Sequence, residues 1–299
     1  MNSDFISLHS GDLNAAFWPS AGMLGVSLKH RGAELLRRID DLQASRAKGS
    51  TAGIPLLYPW ANRLAALRYE VVGRSVSLQP SSTLLHFDDH GLPMHGISWG
   101  QLAWTIDAST QDSLVALLDW NRADLLDIFP FPHRLEIAAT LSPDSLALRT
   151  SIVANENSPV PISFGFHPYV GLPNLKREDW HLALPQMRRL VLDPHGIPTG
   201  ADEPFAALDS ALGKASFDDC FALPDDQRSF SLSGAGRKIT VSFLEGFHFL
   251  QVFAPAGKDF IALEPMTAPA NALISKLHLP IVAAGEKFAA TFRISVTSV

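Results

Sequence analysis

Residues 135–153 read LEIAATLSPDSLALRTSIV. Leu135, Ile137, Ala139 and Leu141 recur every second residue, then SPDS intervenes, then Leu146, Leu148 and Ile152 resume the same period. Side chains of a strand point alternately to opposite faces, so this pattern predicts two half-buried strands joined by a tight turn. The same grammar recurs outward from this hairpin. Arg68 to Leu78 predicts a second hairpin, with Gly73-Arg74 as its turn. Ser229 to Phe253 gives SFSLSG, a turn at Gly234 to Gly236, KITVSFL and FHFLQVF, and the C-terminal FAATFRISVTSV alternates to its end. Twenty glycines and 21 prolines are spread along the chain, as many short strands with tight turns require. Segments of period 3.6 are few, and only Glu34 to Leu42 and Asp209 to Ala215 read as short helices. Asp179 to Lys214, irregular and interrupted by prolines, reads as long loops. No βαβ rhythm, linker or 20–50-residue repeat is present. The expectation is one all-β domain over residues 1–299, a large β-sandwich of packed antiparallel sheets with few short helices.

Composition narrows the function. The chain is 46% hydrophobic and 18% charged, which suits a folded globular protein. A formal net charge of −6, with no compensating basic run, argues against nucleic acid or an anionic membrane as partner. The one cysteine, Cys220, excludes an internal disulfide and suits a reducing compartment. The start, MNSDFISLHSGD, lacks the basic and apolar regions of a secretory signal. No apolar run approaches the ~20 residues of a membrane span. A cytoplasmic location is the resulting expectation.

Several short segments carry candidate chemistry. In PLLYPWANRL, Pro55 to Leu64, the planar fork of Arg63 beside Asn62 suits hydroxyl recognition, or is simply a solvated strand-end arginine. In LPMHGISWG, Leu92 to Gly100, His95 precedes a glycine where backbone can approach a ligand closely. Gly96 to Gly100 formally matches the G-x-S-x-G nucleophile elbow, but the following QLAWTIDAS alternates like a strand where the elbow needs a helix. HFDDH, His86 to His90, lacks the spacing of two histidines on one helix face and reads as a solvated polar turn, not a metal site. In SFGFHPYVGLP, Ser163 to Pro173, His167 ends an apolar strand and is stopped by Pro168. In FDDCF, Phe217 to Phe221, the acidic pair reads first as a turn. In FIALEPMTAPANAL, Phe260 to Leu273, Glu264 sits on an apolar strand, where a charge needs a reason: a reach to solvent, or service as a base.

Taken in order, PWANRL, MHG, FGFHPY, FDDCF and ALEPMTAPANAL, with Pro280 and Gly285-Glu286 before the last strand, resemble the aldose 1-epimerase (galactose mutarotase) family from about Pro55 to the C-terminus. The resemblance implies a β-sandwich with a sugar held in an open cleft across one sheet. It implies that Asn62 and Arg63 bind sugar hydroxyls, that His95 lies near the ring oxygen, and that His167 is the general acid. It further implies that Glu264 is the general base and that Asp218, or the adjacent Asp219, binds hydroxyls. The EPMTAP context is similar to bacterial-type members.

The implied reaction interconverts the α and β anomers of a free aldose such as glucose or galactose. The C1 hydroxyl loses a proton as the ring oxygen gains one, the ring opens, and it closes with the other face attacked. A carboxylate and an imidazolium on opposite sides of the hemiacetal would supply both transfers, so no cofactor and no metal is implied. Two alternatives stay open. One is a hexose-6-phosphate 1-epimerase, although Ile97, Ser98 and Trp99 stand where those relatives tend to carry a phosphate-holding arginine. The other is a non-catalytic carbohydrate-binding protein on the same fold.

Overall fold

The computed structural model of the protein describes residues 5–38 and 51–298. Strand accounts for 54% of the described residues and helix for 5%, so the all-β expectation holds. Two sheets face each other across one apolar core. The larger has nine strands, in the order Thr105–Ser109, Ser113–Trp120, His133–Ser142, Ser145–Ala154, Lys287–Ser298, Arg237–Glu245, Ser229–Gly234, His181–Leu184 and Leu208–Ala211. The second runs Pro198–Phe205, Met187–Leu192, Phe217–Ala222, Phe249–Ala254, Ile261–Met266, Gly165–Phe166 and Leu56–Leu57, with Tyr169–Val170 also paired to Ile261–Met266. The neighbouring strands at its centre are antiparallel. A four-stranded N-terminal sheet, beginning Ile6–Ser10 and Leu13–Trp18, flanks them.

The hairpin that opened the sequence reading forms as expected: His133–Ser142 pairs with Ser145–Ala154, closing at Ser142 opposite Ser145. Leu135, Ile137, Ala139 and Leu141 are all buried, as period two dictates. Across the core they meet the inner face of the second sheet, where Leu250, Val252 and Leu263 are fully buried. Phe166 of the second sheet packs on Phe292 of the first, ring centroids 5.0 Å apart, a contact that locks the layers together.

Several local expectations are corrected. The hairpin at residues 68–78 forms as Arg68–Val71 and Arg74–Ser77, but its turn is Val72-Gly73, both with positive φ, as a two-residue hairpin loop of this hand requires. Residues 179–214 are not long loops: they hold His181–Leu184, Met187–Leu192, Pro198–Phe205 and Leu208–Ala211. Two of these strands are sheet edges, where one side needs no N–H donors and prolines are tolerated. Leu208–Ala211 also displaces the expected helix at 209–215. Glu34 is strand rather than helix, and its carboxylate accepts from Ser27 Oγ and from the Leu28 and Leu36 amides; residues 39–42 lie outside the described residues. Among the described residues, no helix is long and apolar enough to cross a membrane.

Candidate active site

Period two in the second sheet puts apolar side chains inward and polar ones on its outer face. Cys220, Gln251 and Glu264 are cross-strand partners in one row, so all three share that outer face. Asp218, two residues before Cys220, shares it too, and Asp219 does not. Above this face lies a cleft of about 260 Å³, on the small side of the about 300–1,000 Å³ usual for drug-sized ligands. Asn62, Arg63, His95, His167, Asp218 and Glu264 all line it. The structure thus gathers every site residue expected from the sequence into one cavity.

The near wall is built by the loop that carries Asn62 and the short strand Pro93–Ile97 that carries His95, which hold each other. The Asn62 amide donates to His95 Nδ1 at 3.1 Å, and the His95 amide donates to the Asn62 carbonyl at 2.9 Å. Both residues are left-handed, with φ of 57° and 61°, a conformation that costs a non-glycine residue and persists only where the surroundings enforce it. Gly96 follows because a Cβ there would lie 2.2 Å from the Tyr58 carbonyl oxygen. Since His95 Nδ1 accepts, its ring proton resides on Nε2. Burial, reinforced by His167, His86 and Arg63, drives the His95 pKa well down. His95 is therefore a neutral donor facing the cleft.

The floor is the pair His167 and Glu264. His167 Nε2 lies 3.1 Å from Glu264 Oε1, and their side chains are 7% and 3% exposed. Burial pushes the His167 pKa down to about 3, with Arg37 adding to the shift. Burial also pushes Glu264 well up, and Asp218 adds to that. Both residues are thus driven toward their uncharged forms, and one hydrogen bond holds a single transferable proton between them. The two groups touch; the register of Gly165–Phe166 on Ile261–Met266 brings them together.

The remaining walls are polar on one side and aromatic on the other. Gln251 Nε2 donates to Asp218 Oδ1 at 2.7 Å, while Gln251 Oε1 is buried without a partner among the described residues. Burial raises the Asp218 pKa above its usual range, against Arg63 and Gln251. Asp219 instead lies 3.5 Å from Arg189 and does not line the cleft. Trp99, Tyr169 and Phe253 supply ring surface. Ser98 also lines the cleft, but the next regular element is the strand Thr105–Ser109, so the elbow geometry is absent.

Sequence reasoning missed three contributors. Gln251 carried a readable signal, a glutamine amid the apolar run FLQVF. His86 of HFDDH lines the cleft. Asp88 is no solvated turn residue: its side chain is 6% exposed and accepts from Arg63 Nε at 2.7 Å. Among the described residues, no group of three or more His, Cys, Asp and Glu is placed to hold a metal ion.

Comparison with known proteins bears on the family and the fold. The sequence profile described as aldose 1-epimerase matches residues 5–295. The chain is 23% identical over 249 residues to the uncharacterized protein YihR of Escherichia coli (strain K12), covering 80% of this chain and 77% of YihR. The crystal structure of the Slr1438 protein from Synechocystis sp. PCC 6803 superposes with a TM-score of 0.79 at 25% identity, covering 99% of this chain and 96% of the other. A galactose mutarotase-like protein from Clostridium acetobutylicum superposes with a TM-score of 0.85 at 17% identity, covering 99% and 95%.

Proposed function

Because the chain belongs to the aldose 1-epimerase family, we propose that it is a mutarotase that interconverts the α and β anomers of a free aldose in the cleft. The observation that carries this reading is the His167–Glu264 contact of 3.1 Å on the cleft floor. Anomer exchange needs one proton delivered and one removed at two oxygens bonded to the same carbon. A buried pair that holds one proton between two basic atoms matches that demand.

In this reading the shared proton passes from Glu264 to His167, and the resulting carboxylate takes the proton of the C1 hydroxyl while the resulting imidazolium gives its own to the ring oxygen, which restores the uncharged pair. The C1–ring oxygen bond breaks and C1 becomes an aldehyde. Rotation about C1–C2 and the reverse transfers close the ring on the other face. Each positioned proton-transfer group contributes about 10²–10⁴-fold. His95, a neutral Nε2–H donor, steadies the ring oxygen. Arg63, Asn62 and Asp218 hold hydroxyls.

The charge of the cleft favours a neutral sugar over a phosphorylated one. Among the described residues no lysine lines it, and Arg63, the arginine that does, is already engaged by Asp88. The test is polarimetry on freshly dissolved pure anomers, free and phosphorylated. Accelerated rotation of one or more free aldoses is the expected result. A parent protein that accelerates none would leave a carbohydrate-binding role as the better account.

A further inference from the structure

The chain contains the same pentapeptide pattern twice, Asp88-Asp89-His90-Gly91-Leu92 and Asp193-Pro194-His195-Gly196-Ile197. The two fold alike. Asp88 Oδ1 accepts from the His90 and Leu92 amides, both at 2.9 Å, and the Asp88 amide donates to the Leu92 carbonyl at 3.0 Å. Asp193 Oδ1 accepts from the His195 and Ile197 amides at 2.8 and 2.9 Å, and its amide donates to the Ile197 carbonyl at 2.8 Å. The two loops meet through their histidines, whose ring centroids are 4.9 Å apart and nearly perpendicular at 89°.

Arg63 lies against both loops. From one side Asp88 Oδ2 takes its Nε–H at 2.7 Å. From the other, a Cβ on Gly196 would fall 2.9 Å from Arg63 Nη1, so only a glycine leaves room for the guanidinium there. Nη1 also donates to Asn62 Oδ1 at 3.3 Å. That leaves Nη2 without a protein partner among the described residues, on a side chain that lines the cleft.

We infer that the paired loops form a clamp whose purpose is to aim Arg63 into the cleft, with Asp88 and Gly196 as positioning residues. This rests on the reading of Arg63 as a sugar-hydroxyl ligand. The guanidinium fork binds well only when its plane is fixed, and a long side chain otherwise loses rotamer freedom on binding. Burial alone would raise Asp88, but the Leu92 amide, Arg63 and the His90 amide outweigh it and hold the carboxyl below its usual range. Asp88 therefore stays charged opposite Arg63.

The test separates the clamp from the loop it belongs to. Asp88→Asn keeps an Oδ1 acceptor for the loop amides but turns a donor toward Arg63. It should raise KM about tenfold, the scale of a lost charge-assisted hydrogen bond, with kcat nearly unchanged. Gly196→Ala should raise KM likewise. Gly200→Ala, equally left-handed at φ +92° but with nothing near its Cβ, should leave KM as it was. In an Arg63→Ala background Asp88→Asn should cost nothing further, since a residue that acts only through Arg63 has no separate effect. Nitrogen-15 NMR of the Arg63 side chain gives a readout that needs no substrate. Its Nε–H should be protected in the parent and exchange rapidly in Asp88→Asn. Full additivity with Arg63→Ala, or an Nε–H as protected in Asp88→Asn as in the parent, overturns the clamp. If the parent turns over no aldose, the mutarotase reading falls while the NMR measurement still judges the clamp.

Discussion

Tyr169 lies flat on His167, with ring centroids 4.0 Å apart and planes within 18° of parallel. The Tyr169 hydroxyl is bonded to that of Thr51, and Arg37 sits over its ring, 5.7 Å from the centroid. His167 Nδ1 is buried without a partner among the described residues. The imidazole is therefore oriented by a ring face and by Glu264. Tyr169→Phe keeps the stack and should retain most of the turnover rate. Tyr169→Leu removes it and should lower kcat about tenfold, as a misoriented proton donor does. Steady-state polarimetry of the two variants distinguishes them; equal rates would show that stacking does not orient the acid.

On the proposed mechanism, Glu264→Gln keeps shape and hydrogen bonding but cannot accept the C1 proton. His167→Asn removes the donor. Each should lower kcat by about 10²–10⁴-fold, with KM little changed because Arg63, His95 and Asp218 still hold the sugar. Anomer exchange must be corrected for the spontaneous rate. Near-parental turnover by Glu264→Gln would remove it from the role of base.

The acidic pair can be told apart. Asp218 faces the cleft beside Gln251, while Asp219 turns to Arg189. Asp218→Asn should therefore weaken sugar binding about tenfold, the worth of a charge-assisted hydrogen bond. Asp219→Asn should leave KM unchanged, because an exposed ion pair contributes little. The opposite ranking in titration calorimetry or KM would reverse the assignment.

Folding stability should fall in mild acid. His133 is buried, its Nε2 bonded to the Tyr58 hydroxyl and its Nδ1 to the Phe131 carbonyl, both at 2.5 Å. Burial lowers its pKa to about 4, against the opposing Phe131 bond. The folded value lies below the unfolded one of about 6.5, so between these limits the unfolded chain binds a proton that the folded chain refuses. The contribution is fully present above pH 6.5 and is lost as pH falls toward 4, amounting to about 3 kcal/mol. Urea unfolding between pH 4 and 7 should show this slope, and His133→Gln should flatten it by up to one proton. An unchanged slope in that variant would assign the acid sensitivity to other groups.

The core hairpins were legible because each buries one face, so period two is written into Leu135 to Val153 and Ser229 to Phe253. The edge strands were not: Pro198–Phe205 is exposed along nearly its whole length, so burial imposes no alternation on its sequence. The site residues were legible as segments, through proline and glycine signals around His95, His167 and Glu264 and through the family resemblance. Their contacts were not. The His167–Glu264 bond depends on the register between strands almost a hundred positions apart, and no local pattern encodes it. Asp88 escaped for the same reason: in HFDDH nothing distinguishes a carboxylate facing water from one facing Arg63.

The row Cys220–Gln251–Glu264 has an operational consequence. A shift of Ile261–Met266 by one residue would present Leu263 or Pro265 where Glu264 now stands, and would turn Glu264 into the hydrocarbon interior. The same shift that silences the chemistry thus also strands a carboxyl among apolar side chains. Misassembled molecules should accordingly be both inert and short-lived, rather than active with altered sugar preference. For the proposed mutarotase activity, specific activity would then be a direct assay of the fraction correctly folded.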